Sequence, residues 1–186
     1  MKVIIIEGPD NTGKNTLINE ILEKNEIVKV VHCGKPNLNG NVLLNQFKSF
    51  KKLADTAIDD YLNNSENIFV YNRYHIGEYV YGQLYRNEHP EQILETLKLI
   101  ETHILERIPQ DDILYIQLLS TSPELLRKND DKKSLSNADI ELIKKELELF
   151  KIAYDHSLIK NKHIIYVNKE NTDEFKSREE IIKEFN

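Results

Sequence analysis

The sequence predicts an α/β fold, a five-stranded parallel sheet with helices on both faces in three αβα layers. Short apolar runs rich in Val and Ile alternate with amphipathic helical patterns along the chain, as is typical of parallel strands joined by crossover helices. Residues 112–119 are almost continuously apolar, as expected of a strand covered on both faces. A glycine-containing loop joins the first strand to the first helix.

Each predicted element has its own pattern. Strands are expected at 3–6, 27–32, 67–71, 112–119 and 164–167. The first helix should cover about 14–25. In the second, apolar residues recur at steps of three and four, at Leu43, Phe47, Phe50, Ala54, Ala57 and Tyr61. Further helices are expected over about 77–87, from Pro90, from Ser122 and from about Thr172. A long helix is also expected after residue 136, with an apolar face marked by Ile143, Leu147, Phe150 and Tyr154.

Composition limits the possible organisation and partners. The 186 residues predict one domain, covering 1–186, with 30% charged residues and a net charge of −6. That acidic balance argues against a nucleic acid polymer as the main ligand. The single cysteine, Cys33, excludes an internal disulfide and favours a reducing cytoplasm. The apolar run at 3–6 is too short for a signal peptide or a membrane span, so no membrane association is expected.

Residues 7–16, with the sequence EGPDNTGKNT, have the pattern of a phosphate-binding loop. Gly8, Gly13 and Lys14 give the spacing G-x-x-x-x-G-K between a strand and a helix. Such a loop points backbone N–H groups at a phosphate, and the helix N-terminus favours its negative charge. The structural alternative is a βα turn that binds nothing. After the lysine the motif requires Ser or Thr as a Mg²⁺ ligand, but here Asn15 precedes Thr16.

The ends of the other strands carry further candidate residues. Arg73 follows a buried strand directly, where a guanidinium can clamp phosphate oxygens. The neighbouring Asn72 is an amide where a carboxylate could hold metal-bound water or accept a proton. Lys35, after the second strand, is either a contact for an anionic substrate group or an exposed loop lysine. Tyr81 either stacks on a base or packs in the core.

The polar segment 127–136 is either a mobile lid over the nucleotide phosphates or a solvated loop of mixed charge. A lid would exclude water and complete the charge neutralisation of phosphoryl transfer. Arg127 is its candidate catalytic cation.

Several motifs together resemble those of the thymidylate kinase family. The loop EGPDNTGKNT is similar to that family's E-G-x-D-G-x-G-K-[ST]-T, and Asn72-Arg73-Tyr74 falls where the family has Asp-Arg followed by an aromatic residue or His. The strand at 109–116, the segment from Ser122 to Arg127 and the helix at 146–158 also resemble family segments. The arrangement of Tyr81, Gly82, Tyr85 and Arg86 looks more like viral deoxynucleotide kinases.

The resemblance implies a P-loop nucleoside monophosphate kinase, commonly dimeric, that uses ATP and Mg²⁺ to phosphorylate a deoxynucleoside monophosphate such as dTMP. It implies catalytic roles for Lys14, Arg73 and Arg127. ATP would be held by Gly8, Asn11, Thr12, Gly13, Lys14, Asn15 and Thr16. The acceptor would be bound by Asp10, Lys35, Arg73, Tyr74 and Tyr81. Mg²⁺ would take oxygen ligands from Asn15 and Glu7.

The chain departs from the family at Asn11, Asn15, Asn72 and Gln117. Replacing a hydroxyl and a carboxylate by amides should weaken Mg²⁺ binding, because Mg²⁺ prefers hard, charged oxygen ligands. Transfer need not be abolished, since positioning and electrostatics supply most of this catalysis. Two alternatives therefore stay open: a deoxynucleoside kinase, or a P-loop nucleotide-binding protein that has lost catalysis.

Overall fold

Five parallel strands form the sheet of this protein. The computed structural model describes residues 3–24, 28–33, 38–63, 66–129 and 134–167. The strands are β1 (Val3–Glu7), β2 (Val28–His32), β3 (Ile68–Asn72), β4 (Ile113–Leu119) and β5 (Lys162–Tyr166). Their order in the sheet is β2-β3-β1-β4-β5, and every pairing is parallel. The predicted α/β sheet is confirmed.

Six α-helices lie in the described part of the chain. They are α1 (Lys14–Lys24), α2 (Val42–Leu62), α3 (Gly77–Arg86), α4 (Pro90–Leu105), α5 (Pro123–Lys128) and α6 (Ile140–His156). The predicted start at Ser122 is confirmed, because its side chain accepts the Leu125 N–H at 3.2 Å. Asp139 caps α6 in the same way, at 2.9 Å from the Glu141 nitrogen. No described helix has the length and apolarity that a membrane crossing would need.

Alternation along β1 places helices on both faces of the sheet. Ile4 and Ile6 belong to a core shared with α1, at Leu17, Ile18 and Ile21. Val3 and Ile5 belong to the larger core on the opposite face, which α2 and α4 cover. Every residue of β4 is buried, whereas β2 at the edge of the sheet is partly exposed. The three-layer αβα fold follows from this arrangement.

Some predicted segments lie wholly or partly outside the described residues. These are the last helix from Thr172, residues 130–133 of the predicted lid, and Lys35. Of the predicted lid, the structure describes the last turn of α5 and the turns from Ser134 that precede α6.

The carboxyl ends of β1, β2 and β3 meet at one edge of the sheet. Because β3 lies between the other two strands, its last residue Asn72 is in register with Ile6 on one side and His32 on the other. Parallel α/β sheets bind ligands at the carboxyl ends of their strands, at the point where the strand order reverses. The loop after β1 opens onto it.

Candidate functional site

The loop between β1 and α1 turns by means of three residues with positive φ. Gly8 has φ 139°, Asn11 has φ 64° and Gly13 has φ 79°. Glycine and, to a lesser degree, asparagine adopt such angles at low cost, which explains the residue types at these positions. The buried Thr12 hydroxyl braces the turn by donating to the Pro9 carbonyl oxygen at 2.9 Å. The loop therefore has the compact geometry of a phosphate cradle.

Gly8 also brings the loop into close contact with β4. A Cβ added at Gly8 would lie 2.2 Å from the Leu118 carbonyl oxygen, which is closer than any side chain can approach. We expect Gly8→Ala to lower the free energy of unfolding by about 3 kcal/mol, through steric overlap and a strained φ. Chemical denaturation measures this. The control is Gly40→Ala, with φ +70° but nothing within 4 Å, which should cost about 1 kcal/mol. Equal losses would contradict the steric explanation.

Lys14 occupies the interior of the loop. Its ammonium nitrogen, Nζ, donates to the carbonyl oxygens of Gly8 at 2.9 Å and Pro9 at 2.5 Å. Burial lowers the pKa of Lys14 to about 8, against the opposing effect of the Glu7 and Glu146 carboxylates. The two acceptors that contact the ammonium are neutral carbonyl oxygens, and a bound phosphate would add a negative charge beside it.

Arg73 reaches from the end of β3 to the loop. Its backbone is left-handed, with φ 59°, and its N–H donates to the Ile6 carbonyl oxygen at 3.0 Å. The guanidinium is paired with the Asp10 carboxylate, and Nη1 donates to the Tyr81 hydroxyl at 3.1 Å. Unfavourable backbone angles of this kind cluster at binding sites. Three of the predicted site residues, Asp10, Arg73 and Tyr81, are therefore in direct contact.

Asn15 and Asn72, the two departures near the expected metal position, bind each other. Asn72 Nδ2 donates to Asn15 Oδ1 at 2.9 Å. It also lies 3.0 Å from Nδ1 of His32, at the end of β2. Asn72 is 9% exposed, and its Oδ1 is buried without a hydrogen-bond partner. Among the described residues, no cluster of three or more His, Cys, Asp or Glu side chains could hold a metal ion.

These residues surround an open cavity of about 580 Å³. Its lining includes Gly13, Lys14, Asn15, His32, Asn72 and Arg73. Asp10, Asn11 and Thr16 also contribute to the lining, as does Asn129, just after α5. The structure thus brings most of the predicted phosphate-binding residues to one cavity, with two cations beside a helix N-terminus.

Three other predicted site residues do not line this cavity. Glu7 is fully buried at the end of β1, and its Oε1 accepts the Tyr74 N–H at 2.7 Å. Burial raises the pKa of Glu7. Tyr74 has the contacts of a core residue, with its hydroxyl donating to the Phe50 carbonyl oxygen at 2.6 Å. Arg127 is exposed at the end of α5 and does not line the cavity.

Glu146 is a residue of this region that sequence reasoning missed. It is 3% exposed on α6, and its Oε1 accepts the Tyr85 hydroxyl at 2.6 Å. Burial raises the pKa of Glu146, while Tyr85, Arg73 and Lys14 oppose that shift. The available signal was its position between Ile143 and Leu147 on the apolar face of the helix, where a carboxylate is unexpected. His32 and Asn129 were also missed.

Solved structures share this architecture. No family model and no curated protein matches the sequence. YorR protein from Bacillus subtilis, solved with phosphorylated GDP, matches with TM-score 0.65 and 20% identity, over 98% of this chain and 94% of that one. Thymidylate kinase from Ehrlichia chaffeensis matches with TM-score 0.58 and 14% identity, over 98% of this chain and 97% of that one. The chain shares the parallel α/β fold of these proteins. Polyphosphate kinase 2 from Arthrobacter aurescens matches with TM-score 0.71 and 13% identity, over 99% of this chain and 67% of that one.

Proposed function

We propose that this protein transfers the γ-phosphoryl group of ATP to a deoxynucleoside monophosphate such as dTMP. The observation that carries the proposal is that Lys14 and Arg73 line one cavity, beside a glycine-containing loop and the N-terminus of α1. Two cations and oriented N–H groups stabilise the charge that spreads over a transferred phosphoryl group. The fold shared with thymidylate kinase supports this reaction class, and the fold shared with YorR protein, solved with phosphorylated GDP, supports a nucleotide ligand.

In the proposed reaction an acceptor phosphate oxygen attacks the γ-phosphorus of ATP in line. The bond from that phosphorus to the β,γ-bridging oxygen breaks, and ADP leaves with the electron pair. An ionised phosphate oxygen needs no general base, so no proton has to be removed from the acceptor. Lys14 would contact the β- and γ-phosphates. Arg73 would exchange its contact with Asp10 for oxygens of the acceptor and the transferred group.

The residues present suit Mg²⁺ that arrives already bound to nucleotide. The exposed side chains of Asn15 and Thr16 line the cavity and offer neutral oxygens. Mg²⁺ usually keeps several waters and takes few protein ligands in nucleotide sites. When bound, the ion would neutralise part of the phosphate charge. Asn15 stays a predicted ligand, and Arg127 stays a predicted lid cation. Three further statements also stay predictions: the chain forms one domain, it is cytoplasmic, and it forms a homodimer.

The test is a screen of acceptors with the purified protein, ATP and Mg²⁺. Nucleoside monophosphates and nucleosides are offered one at a time, and the products are separated by chromatography. A diphosphate formed from a deoxynucleoside monophosphate supports the proposal. A monophosphate formed from a nucleoside identifies a deoxynucleoside kinase instead. ATP binding without any product identifies a non-catalytic nucleotide-binding protein, an alternative that the mutual hydrogen bond of Asn15 and Asn72 favours.

Nucleotide affinity should fall as the pH rises through 8. In the nucleotide-free protein, Lys14 has a pKa of about 8. A bound phosphate should raise that pKa, so nucleotide binding near pH 8 is accompanied by uptake of a proton. Because the charged form binds better, we expect affinity to be full below pH 7 and about tenfold weaker at pH 9. Calorimetry in buffers of different ionisation enthalpy measures both affinity and proton uptake. Lys14→Arg, which keeps its charge, should show little dependence in this range.

Asn15→Thr should reduce the Mg²⁺ concentration needed for half-maximal activity by about threefold to tenfold. The hydroxyl would supply the ligand that the motif usually has, at a cost of one hydrogen bond to Asn72. A titration of activity against free Mg²⁺ at saturating ATP measures the change. Asn15→Ala is the matched control and should raise the requirement, because it offers no oxygen. If both variants match the unchanged protein, Asn15 does not contact the metal.

A further inference from the structure

His32 is joined to the phosphate-binding loop by a chain of two side-chain amides. Asn72 stands between α1 and β2, and its Nδ2 contacts Asn15 Oδ1 on one side and His32 Nδ1 on the other. The parallel register fixes this arrangement, since His32 and Asn72 are partners across β2 and β3. An amide nitrogen has two hydrogens and accepts none. Both hydrogens are therefore committed, one to each neighbour.

This geometry determines which nitrogen of the His32 ring carries the proton. Because Asn72 Nδ2 is a donor, Nδ1 of His32 has to accept, and the hydrogen of the neutral ring lies on Nε2. A proton on Nδ1 would instead face the amide hydrogens. Turning the Asn72 amide over would put two N–H groups where one buried oxygen now lies. A carboxylate at position 72 would act in the opposite way, because it would accept from an Nδ1–H.

The free edge of the His32 ring belongs to the phosphate cavity. The side chain is exposed and lines the same 580 Å³ space as Lys14 and Arg73. Its Nδ1 edge is held by the buried Asn72, so the Nε2–H edge is the one available to a ligand. A donor that carries no net charge is thus set beside two cations. It can bind a phosphate oxygen without adding to the repulsion between them.

We infer that His32 is a substrate-contacting residue that donates its Nε2–H to a phosphate oxygen, and that Asn72 is the positioning residue that holds this tautomer. The inference rests on the proposed function insofar as the ligand is a nucleotide phosphate. It assigns a purpose to Asn72, because an amide N–H can hold a neutral imidazole in the Nε2–H form, whereas a carboxylate would favour the Nδ1–H form. The hydrogen bond from Asn72 to Asn15 connects the orientation of the His32 ring to the N-terminus of α1.

The tautomer is tested by nitrogen-15 NMR of the histidine rings in the nucleotide-free protein, at a pH where they are neutral. The chain has six histidines, and the spectrum of His32→Gln identifies the signals of His32. His89→Gln, at an exposed position before α4, is the control for assignment. We expect the Nε2–H form in the unchanged protein and a shift to the Nδ1–H form in Asn72→Asp. An Nδ1–H ring in the unchanged protein would overturn the role of Asn72.

The contact is tested by binding of inorganic tripolyphosphate, which needs no turnover. His32→Leu removes the donor and should weaken binding about tenfold, the loss expected for a hydrogen bond to a charged group. His32→Gln, which keeps a side-chain N–H, should restore most of that affinity. Unchanged binding by His32→Leu would overturn the contact even if the protein proves to be a kinase. Weakened binding in a protein without kinase activity would sink the proposed reaction and leave the contact standing.

Discussion

Replacing Lys14 with methionine should reduce kcat/KM for phosphoryl transfer by about a thousandfold, equivalent to about 4 kcal/mol of transition-state stabilisation. Methionine approximates the length of the aliphatic stem but removes the ammonium charge inside the loop. That charge lies in a buried position, where its interaction with a phosphate is screened less than in water. Steady-state kinetics with the acceptor found in the screen measures the loss.

The fold should tolerate Lys14→Met, because a buried cation is replaced by an apolar side chain. The hydrogen bonds lost are those to the Gly8 and Pro9 carbonyl oxygens. Lys24→Met, at the exposed end of the same helix, is the matched control and should keep full activity. Retained activity in Lys14→Met would remove the loop from the proposed mechanism. Loss of activity together with loss of the folded state, seen by circular dichroism, would call for Lys14→Arg instead.

The position of the loop could be predicted from sequence because its pattern is local. Gly8, Gly13 and Lys14 are close in the chain, and the positive φ angles at both glycines explain why glycine is needed there. The order of strands and helices could be predicted for the same reason. Apolar residues recur at every second position in a strand and at steps of three and four in a helix, and both patterns lie within one segment. The parallel sheet then follows from connection rules rather than from any single residue.

Contacts between segments could not be predicted in this way. Tyr74 follows Arg73 and was expected beside the acceptor, but its side chain packs in the core against Tyr71 and Phe50. β3 ends at Asn72, and the left-handed backbone of Arg73 turns the chain, so the Arg73 side chain reaches Asp10 while Tyr74 faces the core. His32 is a candidate only because the register of β2 and β3 places it beside Asn72. Sequence alone gives neither the register nor the direction.

Buried carboxylates show a second limit of sequence reasoning. Glu146 on α6 and Glu101 on α4 interrupt apolar stripes, which sequence can flag, but their partners are distant in the chain. Glu101 accepts hydrogen bonds from Ser157 and from the backbone of Leu158 and contacts His75. A buried charge persists only when such partners satisfy it. The stripe predicts that a partner exists, and the tertiary structure is required to identify it.

Replacing Arg73 with lysine should lower kcat about a hundredfold, and replacing it with methionine about a thousandfold. Lysine keeps the charge but loses the planar pair of donors that can bind two phosphate oxygens at once. Methionine loses both, and leaves the Asp10 carboxylate facing the cavity without its cation. Arginine residues that stabilise a transferred phosphoryl group contribute effects of this size or larger. Single-turnover measurements separate this loss from any change in nucleotide binding.

The left-handed backbone of Arg73 makes the comparison with lysine informative. Both variants keep a side chain with a Cβ at φ 59°, so the strain at this position is the same in each. Arg107→Lys, at an exposed arginine beyond α4, is the control for a general effect of the substitution and should be fully active. Because Asp10 competes with phosphate for the guanidinium, Asp10→Asn in the unchanged background should strengthen tripolyphosphate binding. Equal kcat in Arg73→Lys and the unchanged protein would mean that only charge, and no bidentate contact, is required at the end of β3.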